Sequence, residues 1–263
     1  MGKSIDRIME GGAKKKFGLF MIHGFSGSNE EFNDLEEFFK NKGVAVKAPM
    51  LLGHGTTPED MIARSPEDWI RQIEIELDEF FKQADNIFLG GISFGGNLAI
   101  QIAGKNKNIR GLFLLGTVIY FYNHFWGKLF IPILRYFKTY YTKRINPKHF
   151  FDKAAMNRRK AYPVAPLKNV VEMFRFIDRR TKKELPLVDI PTMILHSAHD
   201  NAVNPKSADY IFKNIGSSVK EIKWVNHSHH NLVIDRPRQE VFQAMYDFMI
   251  KNEKIYETYR TNN

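Results

Sequence analysis

Between residues 17 and 115, short apolar runs alternate with stretches whose apolar residues recur at helical spacing, and the same alternation resumes from residue 192. Few architectures accommodate that pattern. Residues 17–22, 44–47, 87–90, 109–115, 192–195 and 219–225 read as strands. Their near-continuous apolar character marks strands covered on both faces rather than on one. The intervening helices carry their own start signals. Ser28 and Glu31 form a capping-box pair that opens a helix to about residue 40, and Ser65-Pro66-Glu67-Asp68 combines an N-cap, a first-turn proline and first-turn acids. Trp69, Ile73, Leu77 and Phe80 then fall on one helical face. Further helices are expected over 97–103, over 205–215 before Gly216, and from Asp235 onward. The class is α/β: a mainly parallel sheet of six or more strands flanked by helices.

Residues 118–186 interrupt the alternation, which predicts a core made of residues 1–116 and 187–263 with an inserted, mainly helical cap at 117–186. The charge lies there. The whole chain has a net charge of +10, yet residues 117–185 hold sixteen Lys and Arg against four Asp and Glu, so the remainder is slightly acidic. The same segment holds fifteen of the chain's 35 aromatic residues. No nucleic acid partner is expected, because no recognition motif is present and the aromatics are interleaved with aliphatics such as Ile131, Ile133 and Leu134. The absence of cysteine excludes disulfides, thiolate metal sites and a cysteine nucleophile. Residues 17–22 are too short for a signal core and lead into a glycine loop, and no apolar span has the length of a membrane helix, so a cytoplasmic location is expected.

Gly91-Ile92-Ser93-Phe94-Gly95 fits G-x-S-x-G and sits between an apolar strand and a helical run, the setting that makes this short pattern informative. There the serine occupies a strained turn with its hydroxyl exposed at a helix N-terminus, and the glycines let strand and helix pack closely. A serine hydroxyl needs a base, and the base needs a group to orient it. In open parallel sheets such groups stand at the C-terminal ends of strands, and on this kind of turn the acid follows the serine along the chain and the histidine comes last. Asp200 in His196-Ser197-Ala198-His199-Asp200 lies in a suitable loop, whereas Asp189 precedes its strand. Asn226-His227-Ser228-His229-His230 offers three imidazoles, among which chemistry alone does not choose. No metal is expected, since adjacent histidines rarely converge on one ion and no carboxylate stands nearby. The backbone N–H groups of Phe94 and of Phe25, in His23-Gly24-Phe25-Ser26-Gly27-Ser28, are the candidate oxyanion donors. His23 and His54 read as partners of loop backbone, and His196 and His199 as structural partners in the acid loop.

These residues resemble the bacterial monoacylglycerol lipases and small carboxylesterases of the α/β-hydrolase superfamily, over nearly the whole chain except the cap. His23 to Gly27 resembles the family's oxyanion loop, and Leu52-Gly53-His54-Gly55-Thr56 with Pro58-Glu59-Asp60 resembles its next loop. Trp69 falls where the family keeps an Asp-Trp pair; His199-Asp200, with Val203, Pro205, Ala208 and Ile211, resembles its acid loop and helix. Ser228, His230 and Asp235 match a pattern Ser-x-His-x-x-x-x-Asp, which selects His230 as the base. The resemblance implies an α/β-hydrolase fold and hydrolysis of acyl esters through an acyl-serine intermediate. Ser93 is then the nucleophile, His230 the base and Asp200 the orienting acid, with no cofactor. The alternative is a non-catalytic scaffold whose cap docks a membrane or an acidic partner; a complete, correctly ordered triad argues against it.

The cap is the departure, being more basic and aromatic than that family. Phe121, Phe125, Trp126, Leu129, Phe130, Ile133, Leu134 and Phe137 recur at near-helical spacing with Lys128, Arg135 and Lys138 among them. Pro132 is expected to split the run into two segments. The apolar residues either roof the acyl pocket or meet an anionic membrane surface alongside the cations.

Overall fold

The computed structural model describes residues 14–122, 124–143 and 150–261. Its strands are β1 (Lys15–Ile22), β2 (Ala45–Lys47), β3 (Ala84–Ile92), β4 (Ile109–Leu115), β5 (Tyr140–Thr142), β6 (Val164–Pro166), β7 (Thr192–Ser197) and β8 (Lys220–Val225). Its helices are α1 (Asn33–Asn41), α2 (Pro58–Ile62), α3 (Pro66–Phe80), α4 (Phe94–Ala103), α5 (His124–Leu134), α6 (Ala155–Arg158), α7 (Leu167–Phe176), α8 (Lys182–Glu184), α9 (Lys206–Asn214) and α10 (Arg238–Thr261). Six strands form one parallel sheet in the order β2-β1-β3-β4-β7-β8.

The continuous apolar run of β1 follows from a core on each face. Phe20 and Ile22 pack with Trp69, Ile73 and Leu77 of α3 and Leu98 of α4. Leu19 and Met21 face the other way, onto Leu35 and Phe39 of α1 and Phe242, Met245 and Phe248 of α10. With a side-chain period of two, the part of the strand covered on both faces, Phe17 to Ile22, can carry no polar side chain. Each large side chain so buried contributes about 1.5–3 kcal/mol.

Local signals set some boundaries and lose others. Ser65 and Asp68 form the expected reciprocal cap of α3. At Ser28 the hydroxyl instead accepts the Glu30 N–H, and a 3₁₀ turn at Asn29–Phe32 precedes α1. Glu31 does not return to the cap, because its carboxylate accepts from Asn231 Nδ2 at 2.8 Å. Helix α4 begins three residues earlier than expected, directly after Ser93, and α10 three residues later than Asp235.

The segment between β4 and β7 is not purely helical, since β5 and β6 pair antiparallel. Nor does Pro132 divide its first helix: α5 passes through Pro132 and ends two residues later, at Leu134. A proline near a helix C-terminus costs one hydrogen bond, and the helix stops before more are needed. The Phe125 side chain lies outside the described residues. After α7, a π-helical turn at Ile177–Thr181 leads into α8, and Met173, Phe176 and Ile177 join the cluster beneath the sheet. Among the described residues no helix is long and apolar enough to cross a membrane.

Candidate active site

Strand β3 delivers Ser93 to the C-terminal edge of the sheet with φ 54° and ψ −124°, a left-handed backbone that costs a non-glycine residue about 1–3 kcal/mol. Its N–H donates to Leu115 O of the neighbouring strand at 2.8 Å, which holds the turn in place. The flanking glycines are steric necessities. A Cβ on Gly91 would lie 2.3 Å from Gly95 backbone, one on Gly95 2.3 Å from Ile22 O, and one on Gly96 2.0 Å from Thr117 Oγ1. Phe94 is the first residue of α4, so its N–H has no intrahelical acceptor. Among the described residues the N–H groups of Phe94 and Phe25 both lack a hydrogen-bond partner. A Cβ built on Gly24, beside Phe25, would stand 3.2 Å from Ser93 Cβ, so the two donor loops adjoin.

Asp200 follows β7 and His230 follows β8. His230 Nδ1 lies 2.8 Å from Asp200 Oδ2, while Asp200 Oδ1 accepts the N–H groups of Ala202 and Val203, each at 2.8 Å. Burial alone would raise the Asp200 carboxyl and lower the imidazole. The charge and hydrogen bond each gives the other outweigh it, holding Asp200 below and His230 above its ordinary value. Gly116 leaves room for the ring: a Cβ there would touch His230 Cε1 and Nδ1 at 3.4 Å. His229 is engaged elsewhere, and His196 lies behind the acid. His229 Nδ1 is 2.6 Å from His199 O, and its ring stacks on Phe151. His196 is buried, with Nε2 3.4 Å from Asp200 Oδ2. Asp235 accepts N–H groups from His229, Phe151 and Asp152, so it ties the histidine loop to the β4–β7 insertion.

The two early loops are braced by their own histidines. Leu51 N–H donates to His23 Nε2 and Ser26 N–H to His54 Nε2, each at 3.1 Å, as expected of partners for loop backbone. Burial pushes His23 down to about 4, so it stays neutral and able to accept. The insertion clasps the same loops. Tyr162 N–H donates to Ser26 O at 2.9 Å, and the Tyr162 hydroxyl accepts from Thr56 N–H at 2.9 Å and donates to Gly53 O at 3.0 Å. Lys143 Nζ donates to Ser26 Oγ at 2.7 Å.

Ser93, His230 and Phe25 line a cavity of about 300 Å³ together with Glu31, Lys143 and Arg159. Sequence reasoning missed these last three. Burial pushes the Glu31 carboxyl up to about 7 against the pull of Asn231 and the two cations. Burial and then repulsion from Arg159 bring the Lys143 amine down to about 7, with Glu31 opposing. Burial also lowers Arg159, which remains a cation near neutrality. The insertion lines this cavity through residues such as Tyr141, Phe150 and Ala161; among the described side chains α5 contributes none of the lining. Among the described residues no group of three or more His, Asp or Glu is placed to hold a metal ion.

A carboxylesterase of Bacillus subtilis (strain 168) is 25% identical over 89% of this chain and 92% of its own length. A thermostable monoacylglycerol lipase of Bacillus sp. (strain H-257) is 27% identical over 89% of this chain and 91% of its own. Among solved structures, a chain from the metagenome-derived lipolytic enzymes LipS and LipT superposes with a TM-score of 0.79 at 25% identity, covering 91% of this chain and 95% of that one. The family model described as serine aminopeptidase, S33 (Hydrolase_4) matches residues 13–237. The parallel sheet, the elbow at its edge and this match over most of the chain agree, and the protein belongs to that family of α/β-hydrolases.

Proposed function

We propose that the protein hydrolyses carboxylic esters of small acyl substrates through an acyl-Ser93 intermediate. The observation that carries this reading is the 2.8 Å His230–Asp200 pair facing the cavity that also holds Ser93 on its strained turn. Ser93 Oγ attacks the ester carbonyl as its proton passes to His230 Nε2, and Asp200 keeps the other ring proton on Nδ1. The N–H groups of Phe25 and Phe94 receive the tetrahedral oxyanion. His230 returns the proton to the departing alcohol, then takes one from the water that frees the acid. The likeness to a carboxylesterase and a monoacylglycerol lipase over nine-tenths of the chain favours ester substrates. An aminopeptidase must instead accept an ammonium group, which Lys143 and Arg159 would repel. A fluorophosphonate probe should label wild-type protein and spare Ser93→Ala, and short acyl p-nitrophenyl esters should turn over while leucine p-nitroanilide does not. Labelling that survives Ser93→Ala, or turnover of the anilide alone, refutes the assignment.

Residues 117–186 act in this reading as a cap over the core, and α5 with the turn after it as a membrane contact. Trp126, Phe130, Ile133 and Phe137 are more than half exposed, Phe137 at 83%. Arg135 and Lys138 stand among them, whereas Lys128 is tied to Asp178. An exposed apolar patch bearing cations suits an anionic lipid surface, at about 1 kcal/mol per cation. None of Trp126, Phe130, Ile133 and Phe137 is among the residues that line the cavity, so in this reading the contact and the substrate cleft are separate surfaces.

A further inference from the structure

The cleft beside Ser93 carries more positive charge than its proposed chemistry uses. Glu31, from the turn before α1, and Lys143 and Arg159, from the insertion, converge on it from three places in the sequence. None of the three takes part in proton transfer or oxyanion stabilisation as derived above. A neutral acyl glycerol needs no such group.

The partners of each side chain show what remains unspent. Glu31 is held by Asn231 Nδ2 at 2.8 Å. Among the described residues neither Lys143 nor Arg159 pairs with a carboxylate within 4.0 Å. Lys143 uses one of its three donors on Ser26 Oγ, whose own proton goes to Phe25 O at 2.6 Å. The Arg159 guanidinium has no hydrogen-bond partner among the described residues. Residues 144–149 contain Arg144, Lys148 and His149 and no acid, so that stretch supplies no missing carboxylate. Part-buried cations with no carboxylate within 4.0 Å among the described residues are costly, and an arrangement that keeps them beside a cavity is suited to receive an anion from outside the protein.

Resting on the ester-hydrolase reading, we infer that Lys143 and Arg159 form a subsite for an anionic group of the substrate, a carboxylate or a phosphate, within the cavity that holds Ser93. Arg159 offers a planar fork that matches either group in bidentate fashion, and Lys143 adds a point charge beside it. Glu31 sets the limit of the subsite: it is one acid against two cations, and burial pushes its carboxyl up to about 7, so it does not neutralise both. Burial and then Arg159 depress the Lys143 amine, and an anion placed there would draw it back toward its ordinary value.

Two matched pairs of esters test this. In the first, 1-lauroylglycerol is compared with 1-lauroylglycerol 3-phosphate; in the second, p-nitrophenyl pentanoate with the p-nitrophenyl monoester of glutaric acid. The phosphate is on the alcohol side and the carboxylate on the acyl side, so the two pairs together probe an anion on either side of the ester. At least one anionic member should exceed its neutral partner in kcat/KM by about ten- to hundredfold, the range charge-assisted hydrogen bonds supply. In Arg159→Met and Lys143→Met the ratio of anionic to neutral kcat/KM should fall toward one, and Lys143→Arg should restore part of it. Binding of the uncleavable ethers 1-O-dodecylglycerol and its 3-phosphate to wild-type protein, followed by calorimetry, reads the subsite without turnover. If neutral esters are cleaved at least as well as anionic ones in both pairs and the ether phosphate binds no tighter than the ether, the subsite is refuted and ester hydrolysis stands. If no ester is cleaved, the proposed function fails, and the ether pair still decides whether the cleft takes an anion.

Discussion

Asp200→Asn separates the chemistry of the acid from its structural duties. Asp200 Oδ1 accepts two backbone N–H groups at 2.8 Å, and an asparagine oxygen in that place accepts the same two. The amide nitrogen then replaces Oδ2, which is 2.8 Å from His230 Nδ1. A donor cannot accept from Nδ1–H, so the ring proton moves to Nε2, the atom that must receive the serine proton. Loss of the correct tautomer and of the stabilising charge lowers kcat by about 10⁴-fold, which is about 5.4 kcal/mol at 1.36 kcal/mol per tenfold. The sign of the pH effect follows from the base being active only when neutral. With the imidazole held above 6.5 by Asp200, wild-type kcat/KM should rise with pH through a midpoint above that value. In the variant the carboxylate charge is gone while burial remains, so the midpoint of the residual activity moves to lower pH. The melting temperature should stay within about 4 °C, the shift that 1 kcal/mol produces in a chain of this size. Asp200→Ala, which strands two N–H groups, should lose about 1–3 kcal/mol for each. Rates on a chromogenic ester from pH 5.5 to 9, with thermal melts of the same samples, give both readouts. Activity of Asp200→Asn within tenfold of wild type, or an unmoved midpoint, refutes the orienting role.

His230→Ala should abolish ester hydrolysis while His229→Ala keeps most of it, because His229 is engaged with His199 O; the reverse result assigns the base wrongly. Gly95→Ala places a Cβ 2.3 Å from Ile22 O and 2.5 Å from His23 O, both backbone, and should destabilise by at least about 3 kcal/mol or leave the protein insoluble, as read from chemical denaturation. Wild-type protein should cosediment with anionic vesicles at low salt and lose that binding as salt shortens the screening length to about 8 Å at physiological strength; Phe137→Ser with Arg135→Ser should weaken it, and equal recovery from neutral vesicles removes the membrane contact.

What could be read from sequence was whatever local physics determines. The two-faced burial of β1 demands a continuous apolar run, and the steric limits around Ser93 demand its glycines, so sheet and elbow were legible. The choice among three adjacent histidines was not, because their chemistry is the same and only tertiary placement brings one to Asp200; there the family pattern was needed. Glu31 was misread because Ser28-x-x-Glu31 satisfies the capping rule, while Asn231, two hundred residues away, competes for the carboxylate and wins. Lys143 and Arg159 could not be singled out among sixteen cations of one segment, since nothing local marks the two that reach the cavity. The short β5–β6 pair escaped because three residues per strand carry no measurable period.

Ser26 joins the insertion to the loop beside Ser93 from both of its ends: its hydroxyl is bonded by Lys143 and its carbonyl by Tyr162, whose own hydroxyl spans Thr56 and Gly53. At about 0.5–1.5 kcal/mol each, the two bonds to Ser26 amount to about 1–3 kcal/mol of coupling between the segment and the loop that carries Phe25, and the two bonds of the Tyr162 hydroxyl tie the same segment to the Gly53–Thr56 loop. An insertion transplanted from a relative would have to bring counterparts of Lys143 and Tyr162 in register with Ser26, or leave that loop held by His54 alone. With the Phe25 N–H receiving the oxyanion as proposed, chimeras that exchange residues 117–186 as a cassette should show altered turnover even for esters too small to touch the new segment.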